Sequence, residues 1–262
     1  MVCPMRSPAH SACRGSPAFA AAFIGLLGIL VAMAPANAAD DEPPVVVELY
    51  TSQGCSSCPP ADQVLTELAM RPDVLALSLH VDYWDYIGWK DPFGSPMNTE
   101  RQRDYADTLG LRYVFTPQII VDGRDSVVGS DRMAVETAIA ASRAQEKPVR
   151  ISFRPDDGGV VVIAAGAAPD QGATVWLTTY DKEHLTEVKR GENTGRSIRN
   201  TNVVRSFERL GTWMGEDLEI PLNLGNAAAR GRSGCAVIVQ EGRSGRIIGA
   251  AVMMLETLSQ AQ

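Results

Sequence analysis

The sequence predicts an α/β domain over residues 45–146, a central mixed sheet flanked by helices, followed by an all-β sandwich-like domain over 147–258. Three observations carry this. Apolar strand-like runs alternate with helical patterns as far as Gln145. After Pro148 the helical periodicity stops, and short apolar runs recur between glycine-containing turns. A C-x-x-C, Cys55-Ser56-Ser57-Cys58, stands where the first strand gives way to the first helix.

The first 38 residues read apart from the rest. Arg6 and Arg14 are their only charges, Ala18 to Ala34 is apolar and alanine-rich, and Ala36-Asn37-Ala38 is a small-x-small cleavage site. This is the pattern of a secretory signal peptide over residues 1–38, with an uncleaved anchor as the alternative. Cleavage removes Cys3 and Cys13 and leaves no stable membrane anchor. The expected product is exported, periplasmic or secreted, into a compartment where disulfides persist. The net charge of −7 speaks against a nucleic-acid partner.

From Val45 the chain reads β-α-β-α-β-β-α. Val45–Tyr50 is a strand and Ala61–Ala69 a helix with Val64, Leu65 and Leu68 on one face. Val74–Val81 is the second strand. An aromatic stretch follows, with Tyr83, Trp84, Tyr86, Trp89 and Phe93 broken by Gly and Pro. Asn98–Leu109 is a helix capped by Asn98 or Thr99. Gln118–Val121 and Ser126–Val128 form a hairpin about Asp122-Gly123, and a last helix runs from Met133 to about Gln145, capped by Ser130 or Asp131.

The cysteine pair carries the chemistry. Free N–H groups and the partial positive charge at a helix start favour a thiolate, so Cys55, at or just before that start, is expected to have a lowered pKa, with Cys58 within bridging reach. Pro59 and Pro60 fit a first helical turn. A C-x-x-C is also half of a zinc site or a structural clip. The other mature cysteine, Cys235, and the histidines His80 and His184 are scattered, which weakens the zinc reading. Trp84 and Trp89 follow the C-terminal end of a strand, where open α/β sheets place ligands. They read either as a peptide-binding wall beside Cys55 or as packing for their own loop.

Residues 45–146 resemble the thioredoxin superfamily. The resemblance rests on the C-x-x-C at the strand-to-helix turn, the run Gly110 to Thr116-Pro117 into a strand, and the Asp122-Gly123 hairpin after it. It implies a thiol–disulfide oxidoreductase acting on protein or peptide thiols and disulfides. The Cys55–Cys58 couple would itself carry the electrons, with no other cofactor, and the redox partner is unidentified. It implies a cis bond at Pro117, with Thr116 and Pro117 holding substrate backbone. It also suggests Glu48 for the buried acid that assists proton transfer, although Glu48 stands one residue too far from Cys55; a solvent-facing Glu48 is the alternative. Ser56-Ser57 between the cysteines, and the lack of a Trp before Cys55, leave the direction of electron flow open. The Gln53–Pro60 motif, the aromatic loop and Arg190-Gly191-Glu192-Asn193 further resemble a family of secreted bacterial thioredoxin-like proteins known only as a domain of unknown function.

In the second half, eight short strands are expected between Val149 and Met254. Cys235 opens an apolar strand and reads as a buried free thiol. The polar stretch Lys189–Asn202 reads as a solvated loop, a site for a carboxylate-bearing partner, or a dock onto the first domain. Two rival functions stay open. One is a copper-binding chaperone using Cys55, Cys58 and His80, since thiolates suit Cu(I). The other is a non-catalytic binding protein with Cys55–Cys58 as a permanent clip.

Overall fold

The structure, a computed structural model, describes residues 42–156, 159–222 and 224–255. The expected signal peptide lies outside the described residues. β1 (Val45–Thr51) and β2 (Val74–His80) are buried at every position. Continuous apolar runs of this kind suit strands covered on both faces. They pair in parallel, from Val45 opposite Val74 to Thr51 opposite His80. The crossover between them is α1 (Pro59–Leu68).

The rest of the first half follows the expected order. α2 runs from Pro96 to Thr108, two residues earlier than expected at its start. Pro96 takes the first helical position, and the Ser95 hydroxyl accepts from the Met97 N–H at 3.3 Å. Asn98 and Thr99, the expected caps, turn instead to the His80 carbonyl and the Asp82 carboxylate. β3 (Gln118–Val121) pairs antiparallel with β1 and with β4 (Asp125–Val128). Between β3 and β4, Asp122 and Gly123 have φ of 45° and 67°, the left-handed geometry a tight hairpin needs. α3 (Arg132–Arg143) is capped by Asp131, which accepts from the Ala134 N–H.

Seven strands follow: β5 (Val149–Asp156), β6 (Gly159–Gly166), β7 (Ala173–Glu187), β8 (Ser197–Trp213), β9 (Leu218–Leu222), β10 (Gly234–Glu241) and β11 (Ile247–Met254). A short helix, α4 (Gly225–Ala229), precedes β10. The boundary expected after residue 146 does not divide two sheets. One eight-stranded mixed sheet runs β11-β10-β7-β8-β2-β1-β3-β4, and β5-β6-β9 form a separate antiparallel sheet. The described residues make a single compact unit. The expected sandwich is reduced to the small sheet laid over the extension of the large one. Val149, Val162 and Ala164 there meet Val175, Val237 and Val239.

The physical reason is the outer edge of β2. Leu75, Leu77 and Leu79 pack in one cluster with Tyr180 and Val204 of the β7–β8 hairpin. β8 joins β2 in parallel at Ser78 and Val203, and the Asn202 amide donates to the Ala76 carbonyl at 2.9 Å. The expected linker is pinned as well. The Lys147 ammonium lies 2.8 Å from the Asp122 carboxylate, which also accepts from the Val46 N–H and the Ser142 hydroxyl.

Alternation sorts the core. Val45, Val47 and Leu49 face α1 and α3, whereas Val46 and Tyr50 face the opposite layer with Tyr105 of α2. Glu48 belongs to that second layer. It is fully buried, its carboxylate 2.7 Å from Arg101 Nε and 2.5 Å from the Tyr105 hydroxyl. The Gln240 amide of β10 donates to the same hydroxyl at 2.8 Å. Replacing Arg101 with Met strands a buried carboxylate and is expected to cost about 3–5 kcal/mol in urea unfolding. The Glu48→Gln/Arg101→Met double variant should recover more than half of that loss.

Candidate functional site

Cys55 and Cys58 form a disulfide with Cα atoms 5.4 Å apart. Cys58 is the N-cap residue of α1, with Pro59 and Pro60 in the first turn, and Cys55 lies just before the helix, one of the two positions expected for it. The Cys58 carbonyl accepts from the N–H groups of Ala61 and Asp62, and the Cys58 N–H donates to the Cys55 carbonyl. Both cysteines are completely buried, while Ser56 and Ser57 between them are exposed.

The cover comes from the far half of the chain. Asn193, between β7 and β8, is fully buried and donates its amide to the carbonyls of Gln53 and Cys55 at 2.9 and 2.8 Å. Of the three readings of Lys189–Asn202, docking onto the first half is the one observed. Gln53 is the second anchor. Its amide donates to Asn200 at 2.9 Å, its side-chain carbonyl accepts from the Trp89 indole at 3.2 Å, and its N–H donates to Asp91 at 2.7 Å.

The two tryptophans therefore have different jobs. Trp89 packs its loop, with a Cβ on Gly191 falling 3.2 Å from its own Cβ. Trp84 flanks the cysteine turn: a Cβ on Gly54 would lie 3.2 Å from Trp84 Cβ. The Trp84 indole N–H donates to the Thr116 hydroxyl at 2.7 Å. The Thr116–Pro117 bond is cis. Trp84 thus ties Thr116 and Pro117 to the cysteine turn, and its ring stacks on Tyr86, which is 81% exposed.

Glu48 is neither solvent-facing nor near the cysteines. It points through the sheet to α2 and Arg101. The acid on the cysteine side is Asp62, buried on α1 four residues after the N-cap Cys58, to whose carbonyl its N–H donates. Side chains at this spacing are neighbours, about 5–6 Å apart at Cβ. Thr51 donates to Asp62 at 2.9 Å, and burial pushes the Asp62 carboxyl up to about 7. His80 completes the cluster. It is fully buried, with Nδ1 2.7 Å from Asp91 and Nε2 without a hydrogen-bond partner. Burial acts to lower the His80 pKa, but the Asp91 carboxylate overrides it and the net shift is upward.

The copper set Cys55, Cys58 and His80 is not assembled. The sulfurs are bonded to each other, and no metal-competent group of three His, Cys, Asp or Glu gathers among the described residues. Cys235 is a buried free thiol whose pKa burial pushes up to about 12, so it behaves as a small apolar side chain. Asp62 and Asp91 were the residues missed, whereas Asn193 lies in the stretch whose docking was one of the readings offered. Only Asp62 had a local signal, its four-residue spacing from Cys58.

Comparison with known proteins agrees with this architecture. The chain is similar to the crystal structure of protein AGR_C_4864 from Agrobacterium tumefaciens, with 33% identity and a TM-score of 0.71 over 81% of this chain and 94% of that one. No curated protein matches. The family model described as "Protein of unknown function (DUF1223)" matches residues 46–240. With a mixed helix-flanked sheet, a separate antiparallel sheet and a match over most of its length, the chain belongs to the DUF1223 family.

Proposed function

We propose that the protein is an exported thiol–disulfide oxidoreductase with a thioredoxin-like catalytic half, acting on protein or peptide disulfides. The observation that carries the reading is the Cys55–Cys58 disulfide just ahead of α1, with Cys58 at the N-cap position, joined through Trp84 to the cis Thr116–Pro117 peptide. In the dithiol form, the Cys55 thiolate attacks one sulfur of a partner disulfide, and the partner's other sulfur leaves as a thiolate. Cys58 loses its proton and attacks Cys55 in the mixed disulfide. The Cys55–Cys58 bond closes, the second partner thiol is released, and two electrons have passed to the partner. The reverse sequence oxidises a partner dithiol. Asp62, not Glu48, takes the Cys58 proton, because it is the buried acid one helical turn from that residue. Trp84, Thr116 and Pro117 line the approach.

A second reading, a permanent clip, draws on the burial of both sulfurs. Equilibration with glutathione separates the two. A potential between about −120 and −270 mV supports exchange chemistry, and one below about −300 mV supports the clip. Under the first reading, Cys58→Ser should trap mixed disulfides through Cys55, detected as disulfide-linked adducts by mass spectrometry.

Asn193→Ala removes both amide bonds to the cysteine turn. It should accelerate reduction of the disulfide by dithiothreitol and lower stability by about 1–3 kcal/mol.

Asp62 adds a pH signature. Its folded pKa lies above its unfolded value, so between about pH 4 and 7 the folded state binds more protons, and stability falls as pH rises. Asp62→Asn should therefore gain on the wild type in urea midpoint from pH 5 to pH 8, and it should shift the pH profile of partner-disulfide reduction. An unchanged profile removes Asp62 from the mechanism.

A further inference from the structure

Away from the cysteine pair, a basin of about 750 Å³ opens between β7, β8 and the turn from α4 into β10. Four cations from these elements line it: Lys182, Arg205, Arg230 and Arg232. Two acids accompany them. Glu183 is turned to Arg199 in an ion pair. Asp181 is saturated: its oxygens take Arg232 Nη1 at 2.8 and 2.9 Å, His184 Nε2 lies 2.9 Å away, and Arg205 Nε lies at 3.7 Å. Burial acts to raise the Asp181 carboxyl, but the hydrogen bonds from Arg232 and His184 outweigh it and hold the pKa low. Asp181 therefore stays charged and orients the cations around it. With Glu183 spent on Arg199, the four cations outnumber the remaining acid by three charges.

Lys182 and Arg230 are exposed, and neither side chain has an ion pair or hydrogen bond among the described residues. Below them the Phe93 ring makes an apolar wall. Arg205 lies 5.3 Å from its centroid and the His184 ring 4.6 Å. An apolar wall lowers the local dielectric and strengthens the pull of the cations on an anion. A chain of net charge −7 would otherwise repel such a ligand, so the attraction is local to this basin.

We propose that the basin binds a small oxyanion of charge two, a phosphate monoester or a dicarboxylate. Arg230 and Lys182 grip it at the rim, and Arg205 and Arg232 face it from below. Guanidinium forks match both phosphate and carboxylate edges, and the lysine supplies a point charge. The site is independent of the redox reading, since none of its charges touches the cysteines. Its apolar wall does touch the buried His80: the Phe93 and His80 rings meet in a T-shaped contact with centroids 5.3 Å apart.

Calorimetric titration of the purified protein with inorganic phosphate and, separately, with succinate tests the proposal. Ionic strength is held constant with sodium chloride, and chloride alone is the control. The expected result is saturable one-to-one binding of at least one dianion, weakened at least tenfold in the Lys182→Ala/Arg230→Ala variant. Both positions are exposed, so that variant should keep the wild-type circular dichroism and urea midpoint. Saturation by phosphate alone or by succinate alone assigns the ligand class. Failure of both to saturate, or equal affinity in the double variant, overturns the proposal.

Discussion

The apolar edge of β2 is the constraint on which the rest depends. Leu75, Leu77 and Leu79 pack with Tyr105 of α2 from the first half and with Tyr180 and Val204 from the second, and the first half alone would leave the backbone edge of β2 unpaired. An unpaired apolar edge invites aggregation. β8 closes it, and β7, β10 and β11 then extend the sheet by ordinary antiparallel pairing. Four of the seven strands that read in sequence as a second domain therefore complete one sheet with the first, and β5, β6 and β9 form the small sheet beside it.

That pairing has a consequence at the cysteines. β7 and β8 are 15 and 17 residues long, so their hairpin reaches well past the sheet edge it covers. Its tip brings Asn193 onto the carbonyls of Gln53 and Cys55. A buried carbonyl without a donor costs free energy, and one asparagine satisfies two. The same contact closes the cysteine pair from above. The segment that completes the fold is thus also the one that sets how the disulfide meets solvent.

Beneath the cysteines the two faces of β1 separate two kinds of buried charge. On the α2 side Glu48 is matched by Arg101 and the Tyr105 hydroxyl, an arrangement suited to holding layers together. On the α1 side Asp62 accepts from Thr51 and has no cation as close as Arg101 is to Glu48, and the nearby His80 keeps an unpartnered nitrogen. A carboxyl that incompletely compensated holds its proton near neutrality, which is the property proton exchange with a thiol requires. One step along a strand exchanges these environments, which is why Glu48 looked suitable by sequence and is not.

Local chemistry wrote much of this protein into its sequence. The β-α-β-α-β-β-α order, the Asp122-Gly123 turn, the Asp131 cap and the Cys55–Cys58 placement follow from periodicity and turn chemistry acting over a few residues. The cis bond at Pro117 followed from family resemblance rather than from local physics. Tertiary structure alone decided the rest. Which strand covers β2, which face receives Glu48, and which asparagine reaches the cysteine turn depend on contacts between residues about 50 to 140 positions apart. Such contacts have no period or spacing in the chain, because they arise only when distant apolar surfaces are buried together.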